Sequence, residues 1–133
     1  MVRKEVRTML SWRGHLLLIL AFTLVGLLVL PGYSRGEAKD AVIAQGKTLF
    51  LQSCSACHGP DAKGLPHLGK NLRASAFVKG LSDAELLAFI KKGRPSFDPA
   101  NTTHVDMPPK GGNPALTDEQ LQAIIAYIRS IAE

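Results

Sequence analysis

The apolar positions of this chain form one solid block and three helical stripes. The block is Leu16 to Leu30, fifteen residues without a charge. Beyond it, Val42, Gly46, Leu49 and Phe50 recur at intervals that place them on one face of a helix, roughly Asp40 to Ser53. A second helix is opened by Ser82 with Glu85 three residues later, the pattern of a capping box. It continues through Leu86, Leu87, Phe89 and Ile90 and is stopped by Gly93 and Pro95. The last helix has Thr117 as its cap, Gln120 at the third position, and the stripe Leu121, Ile124, Ile125, Ile128 and Ile131. No segment alternates apolar and polar residues as a half-buried strand does, so the pattern predicts an all-α fold. There is no internal repeat and no low-complexity tract.

The helices leave two long connections. Gly59 to Leu81 is rich in Gly, Pro and Lys; Arg94 to Ala115 is rich in Pro, Asn, Gly and Thr. Loops beyond about 12–15 residues in a small domain are usually functional or disordered. A large cofactor wrapped by both loops accounts for them better than disorder does.

The candidate chemistry agrees. Cys54-Ser55-Ala56-Cys57-His58 has the spacing of c-type haem attachment. Thiols three residues apart lie near one face of a helical turn and can reach two vinyl groups on one porphyrin edge. The adjacent His58 can turn its imidazole to the iron. Three other readings compete. A thioredoxin-like pair sits in a βαβ context, whereas Ala41 to Gln52 reads as helix. A structural zinc site needs four N/S ligands, and beyond this motif the chain offers only His15, His67 and His104. The third is coincidence, since Cys-x-x-Cys alone is a common pattern.

Met107, in Met107-Pro108-Pro109, is the only methionine outside the N-terminal segment. A thioether is a soft ligand suited to haem iron, and His/Met ligation raises the reduction potential. Met107 as core filler is the plainer alternative. His67 is a rival sixth ligand, although it lies only nine residues after His58. His104 reads as a surface loop residue, and Tyr127 and Phe50 as helix-packing residues. Asn101-Thr102-Thr103 matches a glycosylation acceptor, a triplet that is common by chance. Lys91, Lys92 and Arg94 most simply complement a helix C-terminus.

Charge divides the chain at the same place as hydropathy. Residues 1–36 carry five Lys/Arg and one Glu, net +4; residues 37–133 carry eleven and ten, net +1. The high isoelectric point therefore gives no argument for nucleic-acid binding. Arg3, Lys4, Arg7 and Arg13 ahead of the apolar block have the arrangement of an export signal or signal-anchor. Positive residues kept inside would place the following domain outside the cytoplasm. Fifteen residues span about 22 Å as helix against roughly 30 Å of hydrocarbon core, which favours a cleaved signal with Ser34-Arg35-Gly36 as the site. Trp12 and Tyr33 bracket a longer stretch, which favours a retained N-terminal hydrophobic helix in the membrane, and the balance tips slightly that way. The reading is 1–36 as targeting segment and 37–133 as one small domain.

The chain resembles the class I, monohaem cytochrome c family over essentially all of residues 40–132. Gly46 and Phe50 precede Cys54–Gly59; Gly64, Pro66 and Leu68 follow; then come Gly93-Arg94-Pro95, Met107-Pro108 and Ala126-Tyr127, in the family's order. The resemblance implies a small fold of about three to four helices with long loops around one covalent haem c. It implies thioethers at Cys54 and Cys57, iron held by His58 and Met107, and a first helix that crosses the last at Gly46 near Tyr127. It also implies Pro66 and Leu68 at the haem pocket, with the Pro66 carbonyl accepting the free N–H of His58. The folded domain has no Trp, and the partners of the haem propionates are unassigned.

The function so implied is a single-electron carrier in an exported, respiratory-type chain, not an enzyme, with redox proteins as partners and no small-molecule substrate. One alternative is the electron-entry subunit of a larger oxidase or dehydrogenase complex. A different class, a haem enzyme or gas-binding protein, needs an open iron position, against which Met107 argues. From Ala62 to Gly80 the domain has Lys63, Lys70, Arg73 and Lys79 and no acidic residue, whereas Asn113 to Glu133 has Asp118, Glu119 and Glu133 against Arg129. The basic stretch is a candidate docking surface for an acidic patch on a partner; a solvated loop is the plainer reading.

Overall fold

Helix caps and apolar stripes set the framework. The computed structural model describes residues 33–133, with side chains from residue 35. The expected N-terminal hydrophobic helix at 16–30, His15 and all but the last four residues of the targeting segment lie outside these residues. No helix among the described residues is long and apolar enough to cross a membrane. The helices in chain order are α1 (Tyr33–Ser53), α2 (Ser55–His58), α3 (Ala76–Gly80), α4 (Asp83–Lys92) and α5 (Asp118–Ser130), with a 3-10 turn at Pro109–Gly112. Among the described residues there is no strand, only isolated bridges Leu65–Gly69 and Arg94–Met107. Residues Lys39–Glu133 form one compact unit, and the description below is of that unit.

Two helix starts follow the sequence reading closely. The Ser82 hydroxyl accepts from the Glu85 amide at 3.3 Å, and the Glu85 carboxylate accepts from the Ser82 amide at 2.8 Å. Thr117 and Gln120 make the same reciprocal pair at 3.3 and 3.0 Å. Each pair satisfies two donors that a helix N-terminus leaves without partners. Among the described residues the first helix spans Tyr33–Ser53 and so includes residues ahead of Asp40. Its apolar side is also shifted: Val42 is exposed, while Ile43 and Leu49 pack on the core.

Helices α1 and α5 cross where Gly46 meets Ala123. A Cβ on Gly46 would overlap the Ala123 carbonyl, so only glycine permits this approach. One turn on, the rings of Phe50 and Tyr127 pack at 5.4 Å between centroids and 55° between planes. Phe50, Leu121, Ile124 and Ile125 are the largest fully buried side chains. α4 runs antiparallel to α5. Lys91 near its end pairs with Asp118 at 2.8 Å, and Asp83 at its start pairs with Arg129 at 2.9 Å. Arg129 also donates to the carbonyls of Val78 and Leu81, which ties α3 to the same pair. Lys91 therefore serves as a partner for α5 beyond any role at its own helix end.

Candidate haem site

The Cys-x-x-Cys-His motif is a single helical turn continuing α1. The Cys54 amide bonds the Phe50 carbonyl at 2.8 Å, and the Cys57 and His58 amides bond the Cys54 carbonyl at 3.2 and 3.0 Å. Both thiols are unpaired and half-buried, and both line one cavity of about 650 Å³. Burial, and next the neighbouring Cys57, push the Cys54 thiol up to about 11.

His58 is oriented by backbone. Its Nδ1 lies 2.8 Å from the Lys70 carbonyl oxygen. A carbonyl only accepts, so Nδ1 carries the proton and the neutral ring keeps its lone pair on Nε2. That is the tautomer a metal-binding histidine needs. Burial lowers the His58 pKa, partly opposed by the Lys70 bond, so the neutral ring is favoured.

The expected acceptor, Pro66, is replaced by Lys70 for a local reason. Leu65 and Gly69 exchange backbone bonds at 3.2 Å, which makes Pro66, His67 and Leu68 the tip of a tight turn. The returning arm of that turn lies against the motif. A Cβ on Gly69 would collide with the Cys57 carbonyl, and the next carbonyl along is that of Lys70. Leu68 lines the cavity; Pro66 does not, and belongs with His67 and His104 to an adjacent cleft.

Met107 reaches the same cavity from the second long loop. Its backbone is fixed by two 2.8 Å bonds with Arg94, just past the end of α4. Asn101 holds the loop from within. It is buried, and its amide donates to the carbonyls of Pro95 at 3.0 Å and Val105 at 2.7 Å. Its oxygen accepts from the amide and hydroxyl of Thr103 at 3.1 and 2.8 Å. With both ends of its side chain engaged, Asn101 is a structural pin and a poor glycosylation acceptor.

Much of the remaining lining is apolar, with Phe50, Leu72, Val78, Leu86, Ile90, Ile124 and Ile128 among it. Polar loop residues, Lys70, Asn101, Thr102 and Asp106 among them, complete it together with Arg94. The Arg94 guanidinium stacks 4.8 Å from the ring centroids of both Phe77 and Phe89. It also donates to the Ala100 carbonyl at 3.3 Å, but its Nε is buried without a hydrogen-bond partner. The nearest carboxylate, Asp98, stands 3.6 Å away, too far for a hydrogen bond. An apolar hollow with two thiols, a neutral imidazole, a thioether and one unsatisfied buried cationic donor fits an iron porphyrin with an apolar body and carboxylate arms. Sequence reasoning missed Lys70, because any residue type offers a carbonyl. It read Arg94 as a helix-end charge, because nothing local announces its two aromatic partners.

These features define a helical domain built around a covalently attached haem. The sequence model of the Cytochrome c family matches residues 43–132, and the chain belongs to that family. It carries one covalently bound haem c. It is 34% identical over 98 residues to the Cbb3-type cytochrome c oxidase subunit CcoP of Rhodobacter capsulatus, covering 72% of this chain and 32% of that one. It is 31% identical over 134 residues to the cytochrome bc1 complex cytochrome c subunit of Mycobacterium tuberculosis H37Rv, covering 96% and 43%. With cytochrome c-555 of Prosthecochloris aestuarii it shares 29% over 97 residues, covering 71% and 93%. The chain thus spans about a third to under half of the oxidase and bc1 subunits, and nearly all of the small cytochrome. No solved structure matches it.

Proposed function

We propose that the protein is a single-electron carrier whose haem is tethered by Cys54 and Cys57 and whose iron is held by His58 and Met107. The observation that carries this reading is one cavity lined by Cys54, Cys57, His58 and Met107. The haem supplies a one-electron couple that needs no bound substrate. The chain supplies the rest. The Lys70 carbonyl fixes the imidazole tautomer, the Arg94–Met107 bridge fixes the thioether backbone, and the apolar lining excludes water. Two axial ligands leave no open iron position, which is why a carrier is favoured over a haem enzyme or gas-binding protein. His67, the rival ligand, lines the neighbouring cleft instead.

Residues 1–36 are assigned as a signal or signal-anchor and 37–133 as the exported cytochrome domain, on the charge and hydropathy of the N-terminal segment. Redox proteins are the proposed partners. Service as an electron-entry subunit of a larger complex is supported by the relatives, two of which are named as subunits of an oxidase and of a bc1 complex. Haem staining after denaturing electrophoresis tests the tether, and carbon monoxide tests the closed site. The pigment should stay with the polypeptide, and the native ferrous protein should bind the gas poorly. A colourless band, or ready binding, would overturn the corresponding half of the reading.

A further inference from the structure

Lys70 takes part in two contacts that lead to different elements. Its carbonyl holds His58. Its ammonium donates to the Thr102 hydroxyl, thirty-two positions away in the loop that ends at Met107. Thr102 follows Asn101, whose amide holds the carbonyls of Pro95 and Val105. Arg94, beside Pro95, is bridged to Met107. A continuous path of hydrogen bonds and backbone therefore runs from the histidine to the methionine, and its single side-chain bond between loops is Lys70–Thr102. Both residues line the haem cavity and the adjacent cleft, so the bond stands on the boundary between cavity and solvent.

We propose that Lys70 is a positioning residue: its side chain clasps the Met107 loop to the loop that orients His58 and so retards departure of the methionine from the iron. The proposal rests on His58 and Met107 being the axial ligands. The His58 bond uses the backbone carbonyl of Lys70, so replacing the side chain leaves that bond in place. Lys63 lines the same cleft and makes no side-chain bond to the Met107 loop, which makes it the internal control.

The test uses the ferric holoprotein. Lys70→Met and Thr102→Val each remove one end of the clasp at nearly constant volume. In both variants, binding of added imidazole, which must wait for the methionine to leave, should accelerate roughly two- to tenfold, the worth of one ordinary hydrogen bond. The double variant should accelerate no further, because the partners act as a unit. Amide hydrogen exchange at residues 101–107 should quicken in parallel, and Lys63→Met should match wild type in both readouts. Unchanged rates in the single variants, or additive effects in the double, would overturn the clasp. If wild-type ferric protein lacks the sulfur-to-iron absorption band, the ligation reading fails instead, and loop exchange alone still decides whether the clasp exists.

Discussion

At the scale of residues, the site works by assigning fixed roles to polar atoms inside an apolar hollow. The Lys70 carbonyl commits one nitrogen of His58 and leaves the lone pair of the other free. Arg94 is the counterpart at the cavity wall: a cation against the adjoining rings of Phe77 and Phe89, with one buried donor that lacks a hydrogen-bond partner. Removing that cation should stabilise the oxidised, more positive iron. Arg94→Gln should therefore lower the reduction potential and, by losing two cation–π contacts, cost about 0.5–2 kcal/mol of stability. Redox titration and thermal melting of the holoprotein check both. A potential equal to wild type would remove Arg94 from the haem's surroundings. Nothing in the sequence near Arg94 points to this role, because its partners Phe77 and Phe89 come from α3 and α4.

At the scale of elements, what was legible is what is local. Ser82–Glu85 and Thr117–Gln120 are complete in four residues each, and the stripe of α5 repeats often enough to fix its buried face. α3 has five residues, too few for a period to show. The exposed position of Val42 was not legible, because α1 has weak amphipathic character and its partner sits near the other end of the chain. Loop geometry was least legible, since Pro66 and Lys70 differ only in how tightly the turn between them closes. The caps still yield a prediction with a sign. Hydrogen bonds from Ser82 hold the exposed Glu85 carboxyl below its ordinary value of 4.5. A depressed folded value means that the stabilisation is present above the ordinary value and is lost as pH falls through the folded one. Glu85→Gln should therefore show a shallower loss of stability on acidification below about pH 4.5 than wild type; parallel curves would deny the cap its electrostatic part. The crossing of α1 and α5 gives a second. Gly46→Val places methyls where the Ala123 carbonyl lies and should cost about 1–3 kcal/mol by overpacking, visible as a lower melting midpoint. An unchanged midpoint would contradict the crossing.

At the scale of the whole molecule, charge is less polarised than its order along the chain implies. Arg73 pairs with Glu133 at 2.8 Å, and the Lys79 ammonium donates to the Glu133 carbonyl. Two of the four basic residues of the 62–80 stretch are thus spent on an acidic residue of the C-terminal segment, and Asp118 is taken by Lys91. Sequence order could not show this, because charges far apart in the chain meet only after folding. Lys63 and Lys70 remain beside the cavity, in a cleft lined by no carboxylate. A docking face for an acidic redox partner narrows to that cleft. Lys63→Glu should slow bimolecular electron transfer to such a partner at low salt, with the difference shrinking as salt rises; equal rates at all salt concentrations would leave Lys63 as a solubilising charge. The central proposal is a closed haem held by His58 and Met107, supported by the one cavity that both residues line. The most direct measurement of it is the optical spectrum and potential of the ferric holoprotein before and after Met107→Ala. The sulfur-to-iron band should be present in wild type and absent in the variant, and the potential should fall. A wild type without that band, or a variant that keeps both band and potential, would contradict the assignment.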